Sequence, residues 1–180
     1  MATIAIVGDG PGGLSAALFL AKTGHDVRVF GMDETAMHYA NVNNYLGIAQ
    51  IHGSEFQDAA KDQVVDLGAT LVKATVASVA AGDDGFAVVT DDETNPFVAD
   101  YLVLSEGRKA PLAESLGVAM QDDHVVVDRD GRTSIERVYV VGRSARPNRS
   151  QAIISAGDGA AAALDILADI EGKDVQDWDS

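Results

Sequence analysis

The sequence predicts an α/β domain built on a parallel sheet, and three observations carry that expectation. Residues 2–7, ATIAIV, form a short apolar run rich in β-branched side chains. A glycine cluster follows, and then a helical stretch, LSAALFLAKTG, that closes at Gly24. HDVRVF at 25–30 is a second strand. Strand, turn, helix and strand in that order are the unit from which parallel sheets are made.

The remaining elements follow in turn. Residues 31–52 are irregular and polar, with HYANVNNYLG at their centre. Residues 53–67 are helical, with Ser54 as the expected cap and Phe56, Ala59, Ala60, Val64 and Leu67 on one face. ATLVKATVASVAA, GFAVVTDD and VADYLVLSEG each have the pattern of a strand, and the Asp pairs at 83–84 and 91–92 sit where turns belong. Residues 108–123 form a connector. HVVVDRDGRTS is a strand with an Asp-Gly turn, RVYVVG a buried strand, and SQAIISAGDGAAAALDILADI a long helix of small residues suited to close packing. The C-terminal segment from 173 is expected to be a loose tail, with Trp178 packed or frayed, after a single domain spanning 1–172.

Composition narrows the function. One hundred and eighty residues with 47% hydrophobic content make one ordinary domain, burying roughly 70% of its unfolded surface. Net charge is −15, from 28 acids against 13 lysines and arginines. An acidic coat of this size suits a salt-rich cytoplasm, an acidic mesophilic protein being the alternative, and it disfavours nucleic acid and anionic membranes as partners. There is no cysteine, which excludes a disulfide or thiol step within these residues. The opening apolar run breaks into glycines after a few residues, so neither a signal peptide nor a membrane span is expected, and the predicted compartment is the cytoplasm.

The chemistry concentrates in GDGPGG. Gly8, Gly10 and Gly13 match G-x-G-x-x-G between a strand and a helix, the context this dinucleotide-binding pattern requires. The first glycine permits the tight turn, the second lets backbone approach a pyrophosphate, and the third lets helix pack on strand. Free N–H groups and the positive end of the helix dipole then face the anion. An acid about 20 residues on usually bonds the ribose. That position falls at Phe30 or Gly31, which offer no side-chain acceptor; Asp33 and Glu34 lie just beyond and could reach back, with Asp33 the candidate and a solvated loop acid the alternative. Three arginines, Arg143, Arg146 and Arg149, gather after VYVVG in an otherwise acidic chain. His25, His38 and His52 have no metal-ligand spacing and are expected to be solvated.

The opening VGDGPGGLSAALFLAKTG, the segment NNYLG at 43–47, VVVDRDGRTSIERVYVVG and RSQAIISAGDGAAAALDIL together resemble the thioredoxin reductase family of FAD-dependent pyridine nucleotide-disulphide oxidoreductases. The resemblance implies a three-layer Rossmann-like FAD/NAD(P)-binding domain with a parallel sheet and a small antiparallel β-meander. It places Gly8, Gly10, Pro11, Gly12 and Gly13 on the pyrophosphate, the Val76 backbone near the adenine and Asn44 near the isoalloxazine. Gln151 and Ala152 fall at the flavin ring, on a helix N-terminus. Gly107 and Gly142 belong to the family's two further FAD-contact motifs.

The departures from the family are equally specific. EGRKAPLAESLGVAM at 106–120 joins the two FAD half-segments directly, where the family inserts an NAD(P)H domain carrying Cys-x-x-Cys. The ribose acid is Gly31, Ala-Thr-Gly is Ser105-Glu106-Gly107, and Gly-Asp is Gly142-Arg143. An arginine at 143 can pair with pyrophosphate where an aspartate would have accepted a ribityl hydroxyl. Arg146 and Arg149 either extend that cationic mouth or pair with surface acids. The expectation is a single-domain FAD flavoprotein, an oxidoreductase or electron carrier reduced by external NAD(P)H or by a redox protein partner. Pairing as a homodimer is a further expectation. The alternative is a non-catalytic NAD- or ADP-type nucleotide sensor or partner subunit.

Overall fold

The structure is a computed structural model and describes residues 1–92 and 95–177. Strand β1 (Thr3–Val7) leads through the glycine turn into helix α1 (Pro11–Lys22), then β2 (Asp26–Gly31). Pro11 stands at the start of α1, where its fixed φ suits a helix and its missing N–H costs nothing. A 3-10 turn (Ala36–Tyr39) and a small hairpin, β3 (Asn41–Val42) with β4 (Ile51–His52), precede helix α2 (Gly53–Asp66) and β5 (Thr70–Lys73). A meander follows, made of β6 (Val76–Gly82), β7 (Gly85–Thr90) and β8 (Phe97–Ala99), and then β9 (Tyr101–Leu104). Helix α3 (Pro111–Leu116), the short pair β10 (Met120–Gln121) and β11 (His124–Val125), β12 (Val138–Val140) and helix α4 (Ala152–Glu171) complete the described chain.

The central sheet is parallel throughout, in the order β12-β9-β1-β2-β5. Its two faces divide the core. Ile4, Ile6, Val27, Val29 and Val103 meet Leu14 and Leu20 of α1, Val64 of α2 and Ile166 and Leu167 of α4. Ala5, Leu102, Leu104, Val138 and Val140 meet Val79, Phe86 and Val88 of the meander and Ala113 of α3. The layers are therefore helices, parallel sheet and antiparallel meander. Burial on both faces explains why β1 is continuously apolar from Ile4 to Val7 rather than alternating. Each fully buried Ile or Leu contributes roughly 1.5–3 kcal/mol.

Several expectations are corrected. The run 69–81 is two strands: it breaks at Ala74–Thr75, β5 staying in the parallel sheet and β6 entering the meander. The run 98–107 also divides, at Asp100, whose carboxylate and N–H bond Thr3 N (2.8 Å) and Thr3 O (2.8 Å). Of 124–134 only His124–Val125 is strand. The Asp-Gly turn beyond it forms as expected, Asp128 accepting from the N–H groups of Asp130 and Arg132 and Gly131 taking φ +85. Helix α2 is capped by His52 rather than Ser54, and Gln57 takes the inward place that the pattern gave to Ala59. The segment from 173 is tied down as far as Asp177, which pairs with Lys22 at 3.0 Å, while Val175 packs on the helical core. Trp178 lies outside the described residues.

Candidate functional site

The carboxyl ends of β1, β2 and β9 and the N-terminus of α1 enclose a cleft of about 590 Å³. In an open α/β sheet this is where ligands bind. The glycine turn is held from behind. Gly8 takes φ +107, and a Cβ there would overlap the carbonyl of Ser105 at the end of β9. A Cβ on Gly13 would overlap the Gly8 carbonyl oxygen. Gly10, by contrast, has open space, its nearest neighbour being Thr35 Oγ1 at 3.6 Å. So Gly8 and Gly13 set the turn, while Gly10 leaves room for a ligand. The N-terminus of α1 has no side-chain cap and no acid in its first turn, so its positive end remains available to an anion. The side-chain amide of the fully buried Gln57 donates to the Asp9 carbonyl and anchors the turn to α2.

Arg143 also lines the cleft, on a 3-10 turn (Gly142–Ser144) that follows β12. Its Nε is shut off from solvent and has no hydrogen-bond partner among the described residues. The other two arginines are committed elsewhere. Arg146 Nε binds the Asp158 carboxylate at 2.9 and 3.0 Å, and Arg149 donates to the Asn148 carbonyl at 3.1 Å. Of the cluster seen in the sequence, only Arg143 lines the cleft.

Glu106 also lines the cleft, but both its oxygens are engaged. They accept the N–H groups of Leu112 (2.8 Å) and Ala113 (3.1 Å), capping α3. Burial nevertheless pushes its carboxyl above the ordinary value. A carboxyl raised on folding favours the protonated folded state, so its contribution to stability declines as pH rises through the ordinary carboxylate value toward the raised one. Unfolding free energies measured from about pH 4 to about pH 7 should therefore shift in favour of Glu106→Gln as pH rises. Parallel curves for the two proteins would show that Glu106 has no such effect.

Asp33 does not face the cleft. It takes φ +59, and its carboxylate binds Lys61 Nζ at 2.8 Å and His38 Nε2 at 3.1 Å. The Lys61 hydrogen bond, assisted by His38, holds that carboxyl below its ordinary value. Its exposed neighbour Glu34 lines the cleft instead. His38 is thus engaged rather than freely solvated, bonding Ser54 as well at 3.0 Å. His25 accepts from Ala2 N at 3.2 Å, and its imidazole is lowered by burial.

Gly8, Gly10, Pro11, Gly12, Val76, Gly107 and Arg143 come together around this one cleft. Gly13 and Gly142 lie behind it, Gly142 at φ +67 with Ser155 beside it. Asn44, Gln151 and Ala152 do not line it. Asn44 Nδ2 donates to Gln151 Oε1 at 2.7 Å, joining two exposed residues from distant parts of the chain at the N-terminus of α4. Sequence reasoning missed Asp9, Gln57, Ser105 and Ser155. Gln57 carried a usable signal, being the one polar residue on the inward spacing 53, 57, 60, 64 and 67. Among the described residues no His, Asp or Glu cluster has metal-site geometry, and no helix is long and apolar enough to cross a membrane.

A profile of pyridine nucleotide-disulphide oxidoreductases matches residues 42–159. A thioredoxin reductase of Spironucleus barkhanus is 30% identical over 117 residues, which are 63% of this chain and 38% of that protein. The chain thus spans well under half the length of that curated relative. Among solved structures, a thioredoxin reductase from Gloeobacter violaceus superposes with a TM-score of 0.90 at 17% identity, over 99% of both chains. A ferredoxin-flavin thioredoxin reductase from Clostridium acetobutylicum gives 0.84 at 19% identity, over 96% of this chain and 99% of that one. At these identities the likeness shows a shared fold.

Proposed function

Because this chain belongs to the pyridine nucleotide-disulphide oxidoreductase family, we propose that it is a thioredoxin reductase-like, FAD-binding oxidoreductase. Its reductant, NAD(P)H or a redox protein, reaches it from outside. The observation that carries this reading is that Arg143, which pairs with no carboxylate among the described residues, lines the same cleft as the uncapped N-terminus of α1. Two positive groups converge on one cleft in a chain of net charge −15. That arrangement suits a pyrophosphate.

The residues present fit the ADP half of FAD. The backbone of Gly10, Pro11 and Gly12, with Arg143, would hold the pyrophosphate, and the β6 segment at Val76 would wall the adenine. Asn44 and Gln151 would flank the flavin ring beside the N-terminus of α4, whose dipole favours the negative charge of a reduced flavin. When bound, the flavin supplies the electron or hydride transfer. The chain's own residues bind it, orient it and set the charge around it. With no cysteine in the sequence, any dithiol exchanging electrons with the flavin lies outside these 180 residues.

An absorption spectrum of protein purified in high salt, with released cofactor identified by mass, tests the proposal. Stoichiometric FAD that cycles with an added donor is the expected result. A colourless protein that also refuses added FAD would overturn it. One observation favours a second reading, a non-catalytic nucleotide-binding subunit: the cleft gathers the ADP-side residues, while Asn44 and Gln151 lie outside it bonded to each other. Equal thermal stabilisation by ADP, NAD and FAD would favour that reading, and stabilisation by FAD well beyond that by ADP or NAD the first.

A further inference from the structure

Dinucleotide sites of this kind hold the adenosine ribose through an acid at the end of the second strand. Here that end is Gly31, which has no side chain to offer. The space beside it is nevertheless filled. A Cβ built on Gly31 would overlap the carboxyl group of Asp9 and lie 2.8 Å from the Asp9 Cβ. The carboxylate belongs to the second residue of the glycine turn, and it occupies the place where a side chain at 31 would begin.

Two features fix it there. Parallel pairing of Val7 with Phe30 brings the residues just after β1 beside the end of β2. Asp33, in its left-handed conformation, turns its N–H onto Asp9 Oδ2 at 2.7 Å. The carboxylate therefore lies against β2, held off the pyrophosphate cradle, where its charge would oppose an anion. Its other oxygen, Oδ1, accepts no hydrogen bond among the described residues, and Asp9 lines the cleft. Of the acids just beyond the strand, Asp33 is already occupied by Lys61 and His38. Glu34 lines the cleft from an exposed position, so Glu34→Gln, which should keep the hydroxyl preference described below, is the control that separates it from Asp9.

We propose that Asp9 is the ribose acceptor of this chain, its Oδ1 taking the hydrogen bond of the adenosine 2′-hydroxyl that a side chain at 31 would otherwise take. The acid has moved from strand to turn, and Gly31 is the residue that makes room for it. The site then selects a nucleotide with a free ribose diol, such as FAD, NAD or ADP, and rejects a 2′-phosphate, which would stand beside a carboxylate with no paired cation. This rests on the nucleotide-binding reading above.

Calorimetric titration of the whole chain with ADP and with 2′-deoxy-ADP tests it. The wild type should prefer ADP by about 10- to 100-fold, the range of a hydrogen bond to a charged group. In Asp9→Ser the two ligands should bind within about 3-fold of each other. Should that variant fail to fold, Asp9→Asn keeps an oxygen for the Asp33 N–H, and its preference should fall at least about 3-fold, since charge-assisted bonds are roughly twice as strong as neutral ones. Gly31→Ala leaves Asp9 intact but displaces its carboxylate, and should lower the preference as well. Loss of a hydroxyl preference is a readout that a merely structural role for Asp9 would not produce. A wild type indifferent to the 2′-hydroxyl, or Asp9 variants that keep the full preference, would overturn the assignment alone. A protein that binds neither ADP nor FAD would overturn the nucleotide reading and this assignment with it.

Discussion

Replacing Gly159 by valine is expected to lower stability by about 3 kcal/mol, the upper part of the range for overpacking a filled interior. Gly159 lies in the middle of α4, where that helix crosses α1. A Cβ there would overlap the carbonyl oxygen of Gly12 and lie 3.0 Å from the N of Ala16. Both are backbone atoms, so no rotamer change makes room and the helices must part. For a domain of this size each kcal/mol corresponds to roughly 2–4 °C, and the melting temperature should fall by about 10 °C in a circular dichroism melt. Gly12 lines the cleft, and on the proposed reading nucleotide affinity should fall too. Gly157, in the same helix, supplies the control. It is exposed with nothing near its Cβ, and Gly157→Ala should stabilise the helix by roughly 0.5–1 kcal/mol. A Gly159→Val protein melting within a few degrees of wild type would show that α1 and α4 are not pressed together as described.

The second large effect concerns binding rather than folding. Arg143→Ala should weaken ADP or FAD by about 10- to 100-fold, as expected for removing a charge-assisted bond to phosphate. Arg143→Asp, which restores the family's residue type, should weaken it further by placing a carboxylate near the pyrophosphate. Stability should change little, because Arg143 Nε has no protein partner to lose among the described residues. Arg146→Ala is the matched control: its guanidinium is spent on Asp158, and affinity should stay within about 3-fold of wild type. Isothermal titration and thermal melts on the same three proteins separate the two effects. Wild-type affinity in Arg143→Ala would remove the arginine from the site.

The opening unit of the fold was legible in the sequence because its signals are local. A β-branched run, a glycine triplet with a proline at the helix start, and a closing glycine mark β1, the turn and α1 without reference to anything distant. The breaks at Ala74–Thr75 and at Asp100 were not legible. Apolar sequence continues across both, and what changes there is the sheet to which the strand belongs. The candidate site divides the same way. Gly10 and Arg143 follow from chain order, but Asp33 has the right position and the wrong direction, because its left-handed backbone turns the carboxylate toward Lys61 and His38. Asp9 stood in plain view inside the glycine motif. Its neighbourhood with Gly31 is created by the register between β1 and β2, which spacing along the chain does not report.

The pairing of α1 with α4 also governs when the domain can form. The first helix rests on the last, and the central strand β1 lies between β2 and the much later β9. These pairings join residues far apart in the chain, and each requires loop closure before its contacts reward it. As the nascent chain leaves the ribosome, β1, α1 and β2 emerge with the apolar side of α1 still uncovered. The cleft at the start of α1 takes its final shape only after residues 152–171 have emerged and docked, so the earliest-made helix waits for the last described one.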